Sequence, residues 1–327
     1  MIKIKLLSII TLLFYHTFQA QSVIKSDSEK KLYSIDSVFS NDIGGIKQVI
    51  RITTSDVKRP ILFFLSGGPG SSMMNNSDKF TNVLKDHFTL IQWDQRDAGK
   101  TLALNPSQIQ VSLDLMTKDT YEVIRFVLKE LKQEKLYLLG SSWGNVLGFD
   151  IVQKHPELLY SYFAVNPVVN QLSSEKELLK TLKIYFKDNP DARTELEKVN
   201  IPFLKEEDLF YLRKWLFFKE GKTFVTENNF KNGFLQWSKR WSPVWNEVMT
   251  INLSKTLKEI NCPIYFFVGK NDIQTLTKIT TEYYKSLKAP HKNIFLFEDS
   301  GHQIHQDEPE KFQNTIIQSL NLDISKP

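Results

Sequence analysis

The sequence predicts a protein of the α/β class, in which a mostly parallel central sheet is flanked by helices. Short, unbroken apolar runs alternate with stretches of helical periodicity in both halves of the chain. Strands buried on both faces of a parallel sheet are typically continuous apolar runs, whereas half-exposed strands alternate between apolar and polar residues. The composition, with 41% hydrophobic and 24% charged residues, is that of a globular protein.

The order of the elements supports this class. Residues 32–40 and 46–54 are expected to form a hairpin, because the turn-forming sequence Asn-Asp-Ile-Gly-Gly joins them. The other predicted strands are apolar runs at residues 61–65, 88–93, 135–139, 160–165, 264–268 and 294–297. The predicted helices lie between or after these runs, at residues 119–132, 145–154, 276–287 and 309–320. Such alternation of strands and helices is typical of a parallel sheet.

A long segment interrupts this alternation. Residues 168–256 are rich in Lys, Glu, Phe and Trp, and they show helical periods without a convincing buried strand. We interpret this segment as a helical cap. The core domain would then consist of residues 21–167 and 257–327.

The first twenty residues are typical of a secretory signal peptide. Lys3 and Lys5 precede an apolar run at residues 6–15, and Ala20 ends the stretch before polar residues. The run is too short to span a bilayer, so no stable membrane insertion is expected after cleavage. Residues 1–20 therefore predict export, to the periplasm or out of the cell. A buried N-terminal strand or helix is the alternative, because Phe18 stands where cleavage sites prefer a small residue.

Charge and cysteine content exclude several kinds of partner and site. The net charge of +5 is spread over 42 basic and 37 acidic residues without a dense basic run, so no nucleic-acid partner is expected. The single cysteine, Cys262, cannot form an internal disulfide and is expected to be buried and structural rather than a catalytic thiol. The histidines are scattered without metal-binding spacing. We therefore expect no metal and no cofactor.

A Gly-Ser-Ser-Trp-Gly sequence at residues 140–144 predicts a nucleophile. It follows a predicted buried strand directly and precedes a predicted helix, which is the setting of the G-x-S-x-G nucleophile elbow. In that turn Ser142 would project from the carboxyl end of the sheet, where open α/β sheets bind ligands. The alternative is a purely structural Gly/Ser turn.

The order of the chain selects the residues that would activate Ser142. In this kind of site an acid and then a histidine follow the serine, each on a loop after a strand. His302 follows the last predicted strand and is the expected general base, with His305 as its rival. Asp272 follows the preceding strand and is expected to orient the imidazole, with Asp299 as the fallback. Asp272 is also placed to cap a helix, and the two roles are compatible.

A glycine-rich loop predicts an oxyanion site. Residues 66–70 read Ser-Gly-Gly-Pro-Gly after the strand at 61–65. In this arrangement one N–H donor comes from such a loop and a second from the residue after the nucleophile. We assign these donors to Gly68 and Trp143. A phosphate-binding loop is the competing interpretation, but its Lys-Ser/Thr ending is missing.

The motifs, in their order, resemble those of the prolyl iminopeptidases, which are serine peptidases of the α/β-hydrolase superfamily. The resemblance rests on Gly-Gly-Pro-Gly at 67–70, Asp-Gln-Arg-Asp-Ala-Gly-Lys at 94–100 and the elbow at 140–144. It continues through residues 268–272 and 300–302. It implies the α/β-hydrolase fold with a helical cap, and an aminopeptidase that releases an N-terminal residue from short peptides through an acyl-enzyme on Ser142.

Two positions differ from the family pattern, and the cap resembles it only loosely. The family usually has His at the position of Ser66 and Gly at that of Asp97. The family also holds the substrate amine with cap carboxylates, which implies Glu247 as an amine ligand beside Trp245. A solvated helix charge is the alternative for Glu247, and packing of the cap onto the core is the alternative for the tryptophan.

Three functions remain open at this point. The first is the aminopeptidase, acting on a short-peptide or other small-molecule substrate. The second is a carboxylesterase or lactonase for a small apolar ester, because such enzymes share these motifs. The third is a ligand-binding protein that has kept the fold without catalysis.

Overall fold

The structure is a computed structural model, and it describes residues 34–324. The predicted signal peptide, residues 1–20, lies outside this range. Within the range, no helix is both long enough and apolar enough to cross a membrane.

One sheet of eight strands forms the centre of the fold, as the sequence predicts. The strands are β1 Ile35–Ile43, β2 Ile46–Thr54, β3 Ile61–Leu65, β4 Thr89–Asp94, β5 Leu136–Ser141, β6 Leu159–Val165, β7 Ile264–Gly269 and β8 Lys292–Phe297. Their order across the sheet is β1-β2-β4-β3-β5-β6-β7-β8. The pairs β1–β2 and β2–β4 are antiparallel, and the other five are parallel. The predicted hairpin is therefore confirmed as the antiparallel edge of the sheet.

Helices connect the strands and cover the sheet. They are α1 Asp78–Thr81, α2 Gly99–Leu104, α3 Leu113–Glu130, α4 Gly144–Lys154, α5 Gln171–Tyr185, α6 Pro190–Glu197, α7 Glu206–Lys219, α8 Asn228–Val248, α9 Leu253–Thr256, α10 Thr277–Ser286, α11 Ile304–Asp307 and α12 Pro309–Ile324. All four predicted helices are present. The helix predicted at 119–132 begins earlier, because the Ser112 hydroxyl caps it by accepting the N–H of Leu115.

Both faces of the sheet are buried. In β3, Ile61, Phe63 and Leu65 belong to one hydrophobic cluster, while Leu62 and Phe64 belong to another on the opposite face. Successive side chains of a strand point to opposite faces, so this division shows that helices cover both sides. This double burial explains why the strand appears in the sequence as an unbroken apolar run.

Between β6 and β7 the described chain forms the helices α5 to α9. Side chains of α5, α6 and α7, among them Leu178, Leu196 and Leu212, form a separate hydrophobic cluster. Helix α8 instead joins the main core through Trp241 and its neighbours, and the Trp241 ring lies 6.4 Å from that of Trp143. The segment has its own small core and is anchored beside the predicted nucleophile.

Cys262 lies just before β7 and is buried, with 1% of its surface exposed. Burial raises the pKa of its thiol to about 12. A thiol with such a pKa is almost entirely protonated at neutral pH and is a poor nucleophile. This agrees with the expectation of a structural cysteine.

Candidate active site

Ser142 lies at a sharp turn between β5 and α4. Its φ of 51° is in the left-handed region, which costs free energy for a residue with a side chain. The two flanking glycines make this turn possible. A Cβ on Gly144 would lie 2.1 Å from the Leu65 carbonyl oxygen, and one on Gly140 would lie 2.5 Å from the Tyr162 hydroxyl. The turn therefore has the geometry of a nucleophile elbow.

Ser142, His302 and Asp272 form a continuous hydrogen-bonded chain. The His302 Nε2 lies 2.9 Å from the Ser142 Oγ, and its Nδ1 lies 2.8 Å from Asp272 Oδ2. A carboxylate accepts, so Nδ1–H donates to Asp272 and Nε2 is left to accept the serine O–H. The chain is the arrangement in which a histidine removes a proton from a serine.

The surroundings of Asp272 favour its charged form. Burial alone would raise the pKa of this carboxyl group, but the charge and hydrogen bond of His302 and further hydrogen bonds lower it below 3.8. The further donors are the Thr275 hydroxyl and the backbone N–H groups of Gln274 and Thr275. Asp272 thus contacts the imidazole and closes the turn that precedes α10, but it does not cap the helix as the sequence suggested, because the N-cap position of α10 is Leu276.

The rival residues lie elsewhere. The His305 ring packs edge-on against Phe80, with centroids 4.6 Å apart, and is buried near Phe312. Asp299 is exposed to solvent. Of the predicted candidates, the structure brings only Asp272 and His302 into hydrogen-bonding contact in line with Ser142.

The predicted oxyanion loop lies against the elbow. Gly68 has a φ of 121°, and a Cβ there would lie 2.8 Å from the backbone nitrogen of Ser71. Only glycine fits this turn without moving the loop. The Ser66 hydroxyl is buried and donates to the Ser71 carbonyl, 3.0 Å away, so it closes the loop instead of facing a substrate.

A residue that the sequence analysis did not single out connects the loop to the elbow. Gln95 donates from Nε2 to the Ser66 carbonyl, at 3.2 Å, and accepts from the Trp143 indole N–H, at 2.9 Å. The amide therefore holds together the two segments that carry the predicted oxyanion donors. Its position in the motif at 94–100 was visible in the sequence, but these two partners were not.

Asp97, the second departure from the family pattern, links the core to the cap. Its φ is 57°, a conformation that Asp tolerates better than most residues. Its carboxylate accepts the Ser107 N–H at 2.8 Å and pairs with Arg240 of α8 at 2.7 Å. These contacts stabilise an otherwise unfavourable backbone conformation.

A cavity of about 50 Å³ lies between the core and the cap, directly over Ser142. Its lining residues are Gly68, Ser142, Gln171, Leu209, Arg213, Trp237, Trp245, Gln274, Thr275 and His302. Trp245, predicted to bind substrate, is among them. The sequence analysis gave no signal for Gln171 or Arg213, because their position depends on how the cap helices pack.

Glu247 does not reach this cavity. Its carboxylate is exposed and accepts the N–H of Leu113, at 3.1 Å, at the start of α3. Trp245 and Glu247 are two positions apart on α8, which turns their side chains about 200° away from each other. Once Trp245 lines the cavity, Glu247 therefore points away from it.

The cap side of the cavity carries a buried ion pair. Arg213 of α7 binds both carboxylate oxygens of Glu175 of α5, and the Nη1–Oε2 distance is 2.8 Å. Gln171 adds a hydrogen bond from its Nε2 to Glu175 Oε1, at 2.7 Å. No aspartate or glutamate is among the residues that line the cavity.

No group of three or more His, Cys, Asp or Glu side chains among residues 34–324 is arranged to hold a metal ion.

Comparison with known proteins identifies the family. Residues 60–309 match the sequence profile of the α/β-hydrolase fold. The chain is 30% identical to a "probable aminopeptidase YbaC" of Bacillus subtilis, over 88% of this chain and 96% of the relative. It is 26% identical to a proline iminopeptidase of Heyndrickxia coagulans, over 79% of this chain and 89% of the relative.

A solved structure supports the same fold. The crystal structure of a proline iminopeptidase-related protein from Thermus thermophilus is similar with a TM-score of 0.60. The match covers 88% of this chain and 97% of that chain at 18% sequence identity, so it shows the fold alone. From the profile, the relatives and the eight-stranded sheet together, we conclude that the chain belongs to the α/β-hydrolase family and resembles its prolyl iminopeptidase-like members.

Proposed function

We propose that the protein is an exported serine hydrolase, and that it acts as an aminopeptidase of the prolyl iminopeptidase type on short peptides. The hydrogen-bonded chain Asp272–His302–Ser142 carries this proposal, because its distances of 2.8 and 2.9 Å put His302 within reach of the Ser142 proton while Asp272 holds the imidazole in place. The names of the two relatives support peptidase activity. Export rests on the predicted signal peptide alone.

The proposed reaction proceeds through an acyl-enzyme. The Ser142 Oγ attacks the carbonyl carbon of the substrate while His302 Nε2 takes its proton, and Asp272 stabilises the imidazolium that forms. His302 then gives the proton to the leaving amine. In the second half, His302 removes a proton from water, which attacks the ester carbonyl and releases the acid from Ser142.

The negative charge that develops on the carbonyl oxygen needs donors. We assign the backbone N–H groups of Gly68 and Trp143 to this role, because both flank Ser142 and Gln95 ties their segments together. The N-terminus of α4 adds a favourable partial charge. One such donor is worth about 3 kcal/mol of transition-state stabilisation.

The small volume of the site favours small substrates. The cavity of about 50 Å³ has room for only a few non-hydrogen atoms, and cap residues cover it opposite Ser142. Such a site suits the first side chain of a short peptide or another small group.

One observation favours a second candidate, a carboxylesterase or lactonase for a small apolar ester. No carboxylate lines the cavity, so no negative side chain faces the place where a protonated amine would lie. An ester has no such charge and does not need that partner.

A panel of substrates distinguishes the aminopeptidase from the esterase or lactonase. The protein without residues 1–20 and its Ser142→Ala variant would be assayed with prolyl, alanyl and leucyl naphthylamides, an N-blocked prolyl amide and short acyl esters. The aminopeptidase proposal predicts that free-amine substrates lead, that N-blocking prevents cleavage and that Ser142→Ala lowers turnover by at least about 10⁴-fold. Rapid cleavage of esters without any cleavage of aminoacyl amides would instead support the esterase. Labelling by a fluorophosphonate in the parent protein but not in the variant would test the nucleophile independently.

A further inference from the structure

Asn166 follows β6 directly, at the edge of the sheet where the candidate active site lies. Strand β6 stands between β5, which leads to Ser142, and β7, which leads to Asp272. Asn166 is 1% exposed, and its φ of 41° is in the left-handed region. Asparagine adopts this conformation at a lower cost than most residues, and strained backbone often marks a functional site. The sequence analysis did not single out this residue.

The Asn166 amide connects the loop of Asp272 to the loop of His302. Its Nδ2 donates to the His302 carbonyl at 2.8 Å and to the Gly301 carbonyl at 3.1 Å. Its Oδ1 accepts the N–H of Gly269, the last residue of β7, at 2.9 Å. A carbonyl can only accept and a backbone N–H can only donate, so these partners fix the orientation of the amide.

The backbone at the end of β6 reaches the remaining parts of the site. The Val165 carbonyl accepts the N–H of Ser142 at 3.0 Å. The Asn166 carbonyl lies 3.2 Å from the Thr275 hydroxyl, which lies 2.7 Å from Asp272 Oδ2. Together with the amide, these contacts join the end of β6 to the segments that carry all three residues of the hydrogen-bonded chain.

The relative position of the two loops decides whether the imidazole meets its partners. The backbone N–H of Asn271 donates to the Ser300 carbonyl at 3.0 Å, which links the loops at one point. A loop held at a single point can still turn about it. Asn166 supplies further contacts at the backbone of His302 itself, and these oppose such a rotation.

We infer that Asn166 is a positioning residue for the reaction, and that it holds the His302 loop against the Asp272 loop so that the imidazole stays in line with Ser142. All three hydrogen bonds of its side chain go to backbone groups, so it acts through the loops. A displacement of a reacting group by about 1 Å can lower a rate about 100-fold. The inference rests on the proposed serine hydrolase chemistry, but peptide and ester cleavage both need this proton transfer.

Two substitutions test the inference. Asn166→Gly deletes the three side-chain hydrogen bonds and keeps the left-handed backbone conformation accessible. Asn166→Asp keeps the size and the acceptor for Gly269, but a carboxylate cannot donate to the two carbonyls. On the best substrate of the panel, kcat is expected to fall about 100-fold in the glycine variant and at least about tenfold in the aspartate variant, with KM changed less than about twofold.

Gln313→Ala is the matched control. The Gln313 amide is 2% exposed, accepts the N–H of Val83 at 2.8 Å and donates to the Pro309 carbonyl at 3.2 Å. It is thus a buried amide with backbone partners outside the three loops of the site. Its removal should lower the free energy of unfolding, measured in urea, but leave kcat of the folded protein unchanged.

The hydrogen bond between His302 and Asp272 gives a spectroscopic readout. Its Nδ1–H proton is expected far downfield of the amide signals in the proton NMR spectrum, because a charge-assisted hydrogen bond is short and deshields the proton. The parent protein and Gln313→Ala should show this signal unchanged. In both Asn166 variants it should move upfield or disappear through exchange with water.

Several results would overturn the inference. One is an unchanged downfield signal with kcat within about twofold of the parent in a folded Asn166 variant. Another is a loss of kcat in Gln313→Ala equal to that in the Asn166 variants, which would show general destabilisation. If Asn166→Gly does not fold, Asn166→Asp decides, and if neither folds, Asn166 serves folding instead.

The outcomes also separate this inference from the proposed function. If the parent protein cleaves no substrate of the panel and does not react with fluorophosphonate, both fail together. If the parent protein is active and the Asn166 variants behave like Gln313→Ala, the function stands and the inference is wrong. Cleavage of esters alone would refute the aminopeptidase, and the Asn166 variants would then test the inference on the ester.

Discussion

At the scale of single residues, Gln95 shows how one side chain coordinates two parts of the proposed site. Its amide joins the Ser66 carbonyl to the Trp143 indole, and all three residues are buried. Transition-state stabilisation by N–H donors depends on their position to within a fraction of an ångström. A residue that touches neither substrate nor nucleophile can therefore set the rate.

Replacement of this amide should lower turnover more than binding. Gln95→Leu removes both hydrogen bonds, and kcat is expected to fall about 10- to 100-fold while KM changes little. The measurement is steady-state kinetics on the best substrate of the panel. Gln133→Leu is a matched control, because Gln133 binds the Ile61 N–H and the Arg59 carbonyl near the opposite end of β3. An equal loss of kcat in both variants would show a general loss of folding instead.

At the scale of elements, the contact between Asp97 and Arg240 is one of the polar links between the core and α8. The loop after β4 and the helix α8 are far apart in sequence, and this ion pair joins them beside a cavity of about 350 Å³. The Asp97 side chain is fully buried, whereas Arg240 is 36% exposed. Burial of Asp97 strengthens the electrostatic attraction of the pair, but the exposure of Arg240 lets dissolved salt weaken it.

Two substitutions at residue 97 distinguish the stability that its side-chain contacts contribute from the cost of its unfavourable φ. Asp97→Ala loses the ion pair and the hydrogen bond to Ser107 and keeps the unfavourable φ, so it should lower the free energy of unfolding by about 2 kcal/mol. Asp97→Gly loses the same contacts but relieves the strain, and it should be the less destabilising of the two. Urea unfolding measures both. A larger loss in the glycine variant would contradict this account.

At the scale of the whole molecule, much of the sheet and the Ser–His–Asp chain was predictable from sequence. The strands appear as apolar runs because both sheet faces are covered, and Ser142, Asp272 and His302 each follow such a run. The carboxyl ends of parallel strands meet at one edge, so the three residues were expected at the same edge of the sheet, and the neighbouring positions of β5, β6, β7 and β8 bring them together. The domain division at 168 and 256 and the export signal stay predictions.

The cap side of the site could not be predicted in the same way. Gln171 and Arg213 reach the cavity through the mutual packing of α5, α7 and α8, and no motif records that packing. The resemblance pointed to Glu247, but helical rotation places it on the far side of α8 from Trp245. Motifs thus predicted the residues of the Ser–His–Asp chain, while the cap residues that line the cavity became visible only in the three-dimensional structure.

The stability of the molecule should fall in mild acid because of a buried histidine. Burial, with a smaller effect of His302, lowers the pKa of His305 from 6.5 to about 4. Between these two pH values the unfolded chain binds a proton at His305 that the folded protein does not bind. The contribution of His305 to the free energy of unfolding is therefore fully present above pH 6.5 and is lost as the pH falls towards 4. At pH 5 the expected loss is about 2 kcal/mol from this residue.

Substitution of this histidine should remove part of the acid sensitivity. His305→Gln cannot gain a proton, so the difference in unfolding free energy between pH 7.5 and pH 5 should shrink by about 2 kcal/mol relative to the parent protein. Urea titrations at the two pH values measure the difference. His87→Gln, at an exposed position, is the control. An unchanged difference in the His305 variant would mean that other groups cause the acid effect.

The buried Cys262 allows local opening of the fold near β7 to be measured by chemical modification. Because the sequence has only this thiol, a thiol-specific reagent can modify only one site. No cysteine has to be introduced or removed for the measurement. In the closed state the thiol is covered and protonated, so modification at pH 8 must wait until the segment that leads into β7 separates from the sheet. The rate of modification therefore measures how often this part of the fold opens, and a substrate analogue that binds across the sheet edge and the cap should slow it.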